Sequence, residues 1–158
     1  MRIGVLSDTH GDQATIRQIT KLTTDVDMWL HAGDCSQDAD YLASLVTVPV
    51  VAAKGNCDGP TNARLDEFVE VLGHKIWLTH GHRYGVKRGI QELMQVAKQQ
   101  GIQVVIYGHT HVPDNRCCEG ILFFNPGSGN CSYGGGGTYG VLDINVTQVV
   151  GSIIEKDA

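Results

Sequence analysis

No CxxC pair occurs anywhere in the 158 residues, so a zinc site built on paired thiolates is disfavoured. The cysteines number five, an odd count, and Cys117 and Cys118 are adjacent. A disulfide framework is therefore not expected, and a reducing compartment, the cytoplasm, is. No apolar run approaches the roughly 20 residues needed to cross a bilayer. Met1–Leu6 is also too short for the apolar region of a secretory leader, so no membrane partner is expected. A basic stripe is missing too: 12 Lys+Arg stand against 17 Asp+Glu, for a net charge of −5. That balance argues against a protein that tracks a nucleic-acid backbone. No repeat, long linker or compositional break divides the chain, and one domain over residues 1–158 is expected.

Glycine is what the sequence has in excess, 20 residues against a usual share of about 7%. Gly33, Gly55, Gly81, Gly108 and Gly127 each follow an apolar run and sit beside His, Asp or Asn. Glycine at such places lets the backbone turn sharply and pass close to a ligand.

The apolar pattern alternates strand and helix through the first two thirds of the chain. Ile3–Leu6, Met28–His31, Val50–Ala53 and Val104–Tyr107 read as buried strands, without the alternation of a sheet wetted on one face. Asp12 is placed to cap a helix through Ile16, Ile19 and Leu22. Leu42, Leu45 and Val46 support a helix from about residue 38, and Ile90, Leu93, Met94 and Ala97 another, stopped at Gly101. Phe68–Leu72 and Lys75–Thr79 flank Gly73-His74 as a hairpin. Ile121–Phe124, Tyr139–Ile144 and Val149–Ile154 then follow as three strands. The expected fold is α/β: a layered β-sandwich of mixed sheets flanked by helices. Gly134–Gly137 reads as a flexible connector, or else as an active-site lid.

Polar residues collect just past the carboxyl ends of the apolar runs: Asp8 and His10, Asp34, Asn56, His80 and His82, His109 and His111. Five separate segments thus deliver His, Asp or Asn to the region where open α/β sheets bind ligands. Asp8/His10 and His109/His111 are spaced i, i+2, which in extended chain turns both side chains to one side. Imidazole, carboxylate and amide oxygen together suit Mn, Fe, Zn or Ni.

Asp8-x-His10, Gly33-Asp34, Gly55-Asn56, His80-Gly81-His82 and Gly108-His109-Thr110-His111 resemble the motif series of the calcineurin-like metallophosphoesterase superfamily. The short chain, Gly55-Asn56-Cys57-Asp58 and Asn125-Pro126-Gly127-Ser128 are similar to its compact YfcE-like phosphodiesterase branch. The resemblance implies two divalent metal ions, Mn first, with Ni, Co, Zn, Fe and Mg as alternatives. It assigns Asp8, His10, Asp34 and His111 to one metal. Asp34, Asn56, His80 and His109 go to the other, with Asp34 bridging. It further implies a hydrolase, most simply a phosphodiesterase on a small phosphoester, attacking with a metal-bridging hydroxide. Asn56 and His82 are the catalytic candidates, His82 as substrate contact or proton carrier. Two divalent ions against the carboxylates of Asp8 and Asp34 leave a cationic site suited to a phosphate anion. Larger phosphatases of the superfamily carry a proton-donating His after the metal-binding Asn, where this chain has Cys57. A thiol with a reference pKa of about 8.5 is a poor general acid. Diesters, or esters with good leaving groups, are therefore the expected substrates.

The competing readings are a non-catalytic protein scaffold of the same fold, as in a retromer subunit, and a nuclease. A complete ligand series weighs against the first, and the missing basic stripe against the second. An oligomer is open and not predictable from sequence. Other residues have plainer expectations: His31 packed beside the site, His74 solvated in a hairpin turn, and Arg83, Lys87 and Arg88 a solvated face unless they grip phosphate. Of Cys35, Cys117, Cys118 and Cys131, most are read as small buried hydrophobes.

Overall fold

Residues 1–131 and 136–157 are described by the computed structural model. The chain begins with strand β1 (Arg2–Leu6), helix α1 (Gln13–Leu22), strand β2 (Met28–His31), helix α2 (Ser36–Leu45) and strand β3 (Val50–Ala52). A second series follows: β4 (Asp66–Val71), β5 (His74–Thr79), a 3₁₀ turn at His82–Tyr84, α3 (Gln91–Gln100) and β6 (Val104–Ile106). Four strands complete the chain: β7 (Asp114–Cys118), β8 (Ile121–Asn125), β9 (Thr138–Ile144) and β10 (Val149–Glu155).

The strands form two mixed sheets of five, in the orders β10-β9-β1-β2-β3 and β4-β5-β6-β8-β7. In the first sheet β1, β2 and β3 run parallel, and in the second β5, β6 and β8 do. In antiparallel pairs, β9 and β10 extend the first sheet on one side, where β3 is the other edge, and antiparallel β4 and β7 flank the second on both. The expected mixed-sheet sandwich with flanking helices is the observed fold.

The layering explains why the strands lack alternation. Ile3 and Val5, Ile76 and Leu78, and Leu122 and Phe124 meet in one apolar layer between the sheets. Trp77, Val105, Ile121 and Phe123 point the other way and pack with Leu93 and Ala97 of α3. On the far side Trp29 and Val141 meet Ile16 and Ile19 of α1 and Leu42 of α2. Every central strand is thus covered on both faces, so each successive residue must be apolar.

Helix α1 starts at the expected cap, since the Asp12 carboxylate accepts the Thr15 N–H at 3.0 Å. Three elements differ from the sequence expectation. Helix α2 begins at Ser36 rather than near residue 38, because the Asp58 carboxylate accepts the Ser36 N–H and holds that first turn. Strand β7, Asp-Asn-Arg-Cys-Cys, was not foreseen: it is a sheet edge with mostly exposed side chains and so carries no apolar signature. His74 is not in the hairpin turn but opens β5, paired with Val71, and its Nε2 lies 2.8 Å from the Asn145 carbonyl.

The cysteines also differ from expectation. Cys57, Cys117 and Cys131 are exposed and Cys35 and Cys118 half-buried, so none is a buried hydrophobe. Cys117 and Cys118 fall on the edge strand, and the others on loops beside the sheets, where the core does not reach. Gly134 and Gly135 of the four-glycine segment lie outside the described residues. Among the described residues no helix is long and apolar enough to cross a membrane.

Candidate metal centre

The parallel strands of each sheet end on one edge of the sandwich, and the polar motifs start there. Asp8, Asp34 and Asn56 follow β1, β2 and β3; His80 follows β5, and His109 and His111 follow β6. These loops do not continue the strands. Asp8, His10, Asp34, His109 and His111 all have φ between 49° and 72°, the left-handed region. Such conformations are costly for residues with a Cβ and concentrate at functional sites. The i, i+2 pairs therefore behave differently: Asp8 and His10 share one group, through left-handed backbone rather than strand geometry, whereas His111 turns to Asp8 and His10, and His109 to Asp34 and His80.

Two groups of donors result. In the first, His111 Nε2 lies 3.2 Å from both His10 Nε2 and Asp8 Oδ1. In the second, His80 Nε2 lies 3.0 Å from Asn56 Oδ1, 3.2 Å from His109 Nδ1 and 3.4 Å from Asp34 Oδ2. His80 Nε2 is also 3.9 Å from Asp8 Oδ1, so the groups adjoin. Asp8, Asp34 and His80 are buried, while His10 and Asn56 open onto solvent.

Hydrogen bonding tests whether these donors suit a cation. His80 Nδ1 faces the Ala32 carbonyl at 2.8 Å and must donate its N–H there, which leaves Nε2 as a lone pair. That lone pair faces a carboxylate, an amide oxygen and another imidazole, so a positive charge is needed among them. Donors about 2.0–2.2 Å from one shared ion stand about 3 Å apart when they subtend near-right angles, which matches the spacing found. The residues present fit divalent metal ions.

The same demand appears in the pKa directions without metal. Burial would lower His80, but hydrogen bonding to Asp34 and the charges of Asp8 and Asp34 outweigh it and pull its pKa up. Burial would raise Asp34, yet hydrogen bonds from His80 and from the Cys57 N–H hold it well below the usual carboxylate range. His109 is lowered, first by burial and then by the charges of His80 and Lys87.

Supporting contacts lock each donor. Asp8 Oδ2 accepts from Ser7 Oγ and from the His109 N–H at 3.0 Å, which leaves Oδ1 to face the histidines. Asp34 Oδ1 accepts the Cys57 N–H at 3.0 Å. Asn125 is the buried last residue of β8; its Oδ1 accepts the Gly127 N–H at 2.9 Å, an Asx-type turn, and its Nδ2 donates to the Gly108 carbonyl and Thr110 Oγ1. Ser128 Oγ donates to the Asp8 carbonyl. The Asn125–Ser128 segment thus braces the two ligand loops. A second brace carried no sequence signal: buried Asp38 accepts from Thr9 Oγ1 and the Gly11 N–H, and Thr9 Oγ1 meets His31 Nε2. His31 is indeed packed beside the site, with its pKa lowered by burial.

Two glycines admit these close approaches. A Cβ on Gly108 would lie 2.1 Å from Ser7 Oγ. A Cβ on Gly55 would lie 2.2 Å from Asp34 Oδ1 and 2.4 Å from the Asp34 backbone nitrogen, so the carboxylate and its backbone would both have to move. Gly55→Ala is expected to lower bound metal by at least about tenfold, as loss of ligand support does. Metal analysis of the dialysed variant against wild type checks this.

Five of the donors, His10, Asp34, Asn56, His109 and His111, line a cleft of about 870 Å³, with Cys57, Tyr107 and Arg116 on other walls; Asp8 and His80 are fully buried and do not line it. Cys57 Sγ lies 3.6 Å from Asn56 Nδ2, and its pKa is raised, chiefly by the Asp34 charge and then by burial. His82 does not line the cleft. Its ring stands 5.4 Å from that of His80 and 6.2 Å from that of His109, with Nδ1 buried and unpartnered among the described residues. Of the basic cluster, Arg83 pairs with Asp66 at 3.7 Å outside the cleft, while Lys87 and Arg88 line it.

Residues 1–147 match the profile of the calcineurin-like phosphoesterase superfamily domain. The chain belongs to that superfamily. It is 32% identical to phosphodiesterase MJ0936 of Methanocaldococcus jannaschii, over 90% of this chain and 93% of that protein. It is 34% identical to phosphodiesterase YfcE of Escherichia coli, over 64% of this chain and 56% of YfcE. The likeness to the YfcE type expected from the motifs is therefore found over 64% of the chain. Vps29 of Entamoeba histolytica in complex with Zn²⁺ superposes with a TM-score of 0.77 at 22% identity, covering 99% of each chain. At that identity the likeness shows the fold alone.

Proposed function

We propose that the protein is a divalent-metal-dependent phosphodiesterase of small phosphoesters. The observation that carries this reading is the convergence of Asp8, His10 and His111, and of Asp34, His80, His109 and Asn56, into adjoining groups, five of whose members line one cleft. Each group would hold one divalent ion, with manganese as the first choice, and Asp34, found in the second group, is assigned to serve both. Bound there, they supply Lewis acidity and a hydroxide at neutral pH.

The chain itself supplies the rest. Neutral imidazoles and an amide oxygen outnumber the carboxylates, so the filled site keeps a net positive charge toward a phosphate anion. Asn56 opens onto the cleft and is placed to meet the transferring phosphoryl group as well as the cation. His82, behind His80 and His109, is assigned to orient these rings and to carry a proton to or from the centre. An odd count of five cysteines, two of them adjacent, fits a reducing compartment, the cytoplasm. A scaffold would have no need of left-handed backbone at five donor positions.

The test strips the protein with chelator and assays bis(p-nitrophenyl) phosphate after adding Mn²⁺, Ni²⁺, Co²⁺, Zn²⁺ or Mg²⁺ singly. Turnover is expected to vanish on stripping and to return most fully with Mn²⁺. Absence of turnover with all of these ions overturns the reading.

A further inference from the structure

We propose that Lys87, Arg88 and Arg116 form a second anion subsite in the metal cleft, so that the substrate is a phosphodiester bearing a further phosphate or carboxylate. The inference rests on the phosphodiesterase reading and extends it to substrate class. The cleft is far larger than one phosphate group, and its walls away from the donors carry three cations against the single carboxylate of Asp114.

The backbone that carries Lys87 and Arg88 is anchored, and the Arg116 side chain is oriented. Val86 is buried against Trp77, Leu93 and Tyr107, which anchors the loop that carries Lys87 and Arg88. The turn is closed by the Arg88 N–H on the Gly85 carbonyl and the Gly89 N–H on the Val86 carbonyl. Tyr107, in the same apolar cluster, donates its hydroxyl to Asp114 Oδ2, and Arg116 Nε donates to that oxygen at 3.1 Å. Arg116 is thereby oriented through Nε, with its terminal nitrogens left to meet an anion in the fork geometry that suits phosphate or carboxylate. Lys87 has no ion-pair partner among the described residues. Arg88 has only a long contact to Glu92, 3.8 Å between mostly exposed side chains. Both basic elements therefore stand on one apolar cluster beside the centre. Binding a remote anion there can be spent on holding the scissile phosphoryl group in line.

The experiment compares two substrates with the Mn²⁺-loaded full chain: the p-nitrophenyl ester of thymidine 5′-phosphate, and the same ester carrying a 3′-phosphate. Wild type is expected to favour the second by about tenfold or more in kcat/KM, as a charge-assisted contact implies. Lys87→Ala and Arg116→Ala should each reduce this preference by about threefold or more, mainly through KM, and the double variant should bring it near unity. Arg83→Ala, altered outside the cleft, should retain it. Absence of preference in wild type, or an equal fall for both esters in the variants, overturns the subsite while leaving the phosphodiesterase reading intact. If neither ester turns over with any metal, that reading has failed and binding decides the subsite. Metal-free protein titrated with inorganic pyrophosphate in a calorimeter should then show saturable binding that the double variant loses. No saturable binding, or binding the double variant retains, overturns the proposal.

Discussion

Asp34→Ala is expected to lower kcat for bis(p-nitrophenyl) phosphate by at least about a thousandfold, because the several kcal/mol of charge stabilisation supplied by a correctly held metal pair is lost. Its carboxylate is buried, with Oδ2 3.4 Å from His80 Nε2 and Oδ1 fixed by the Cys57 N–H. Nothing else in the second donor group brings negative charge: His80 and His109 are imidazoles and Asn56 is an amide. Without Asp34 that group cannot compensate a divalent charge, and bound metal should fall from about two ions per chain to one or fewer. The fold should survive, since the variant gives up one backbone hydrogen bond. That costs about 0.5–1.5 kcal/mol, or a few degrees in Tm for a domain of this size. His111→Ala removes a donor of the other group and should abolish turnover likewise. Because the groups act as one unit, the double variant should be scarcely worse than either single one. Unchanged kcat in either single variant would refute the ligand assignment.

The parts of this centre that were legible in sequence share a physical cause. Val104, Val105 and Ile106 must all be apolar because both faces of β6 are covered, so the abrupt change to Gly108-His109 marks the end of the strand. The same change marks β1, β2, β3 and β5, and the ends of those strands are where the donors lie. What sequence could not show is which sheet a strand joins. Ile121–Asn125 and Thr138–Ile144 look alike as apolar runs, yet β8 lies in one sheet and β9 in the other. Asn125 reads as a turn residue by type, and its role in holding the His109–His111 loop depends on β8 lying beside β6. Asp38 reads as an ordinary residue in the first turn of a helix. It meets Thr9 and Gly11 only because α2 packs across from the loop after β1. Arg116 sits on an edge strand without apolar pattern, so nothing local tied it to the cleft.

Cys57→His is expected to raise kcat for phenyl phosphate by about a hundredfold, the lower range of what a positioned general acid contributes. The side chain is exposed and lines the cleft, so an imidazole can be accommodated without disturbing the core. The contact that Asp34 needs from this position comes from the backbone N–H and survives the change. Imidazolium, with a reference pKa of about 6.5, gives up a proton to a departing oxyanion far more readily at neutral pH than a thiol near 8.5. The gain should therefore be large for phenyl phosphate and smaller for bis(p-nitrophenyl) phosphate, whose nitrophenolate leaves without help. Cys57→Ser should stay within about threefold of wild type on the diester, since neither group is a competent acid or an ionised nucleophile at neutral pH. The steady-state comparison of the two variants on both substrates, with metal content measured alongside, separates the possibilities. Loss of diester turnover in Cys57→Ser with both metals still bound would mean that the thiol takes part in the chemistry. A histidine variant that gains nothing on phenyl phosphate would mean that proton supply does not limit monoester hydrolysis at this centre.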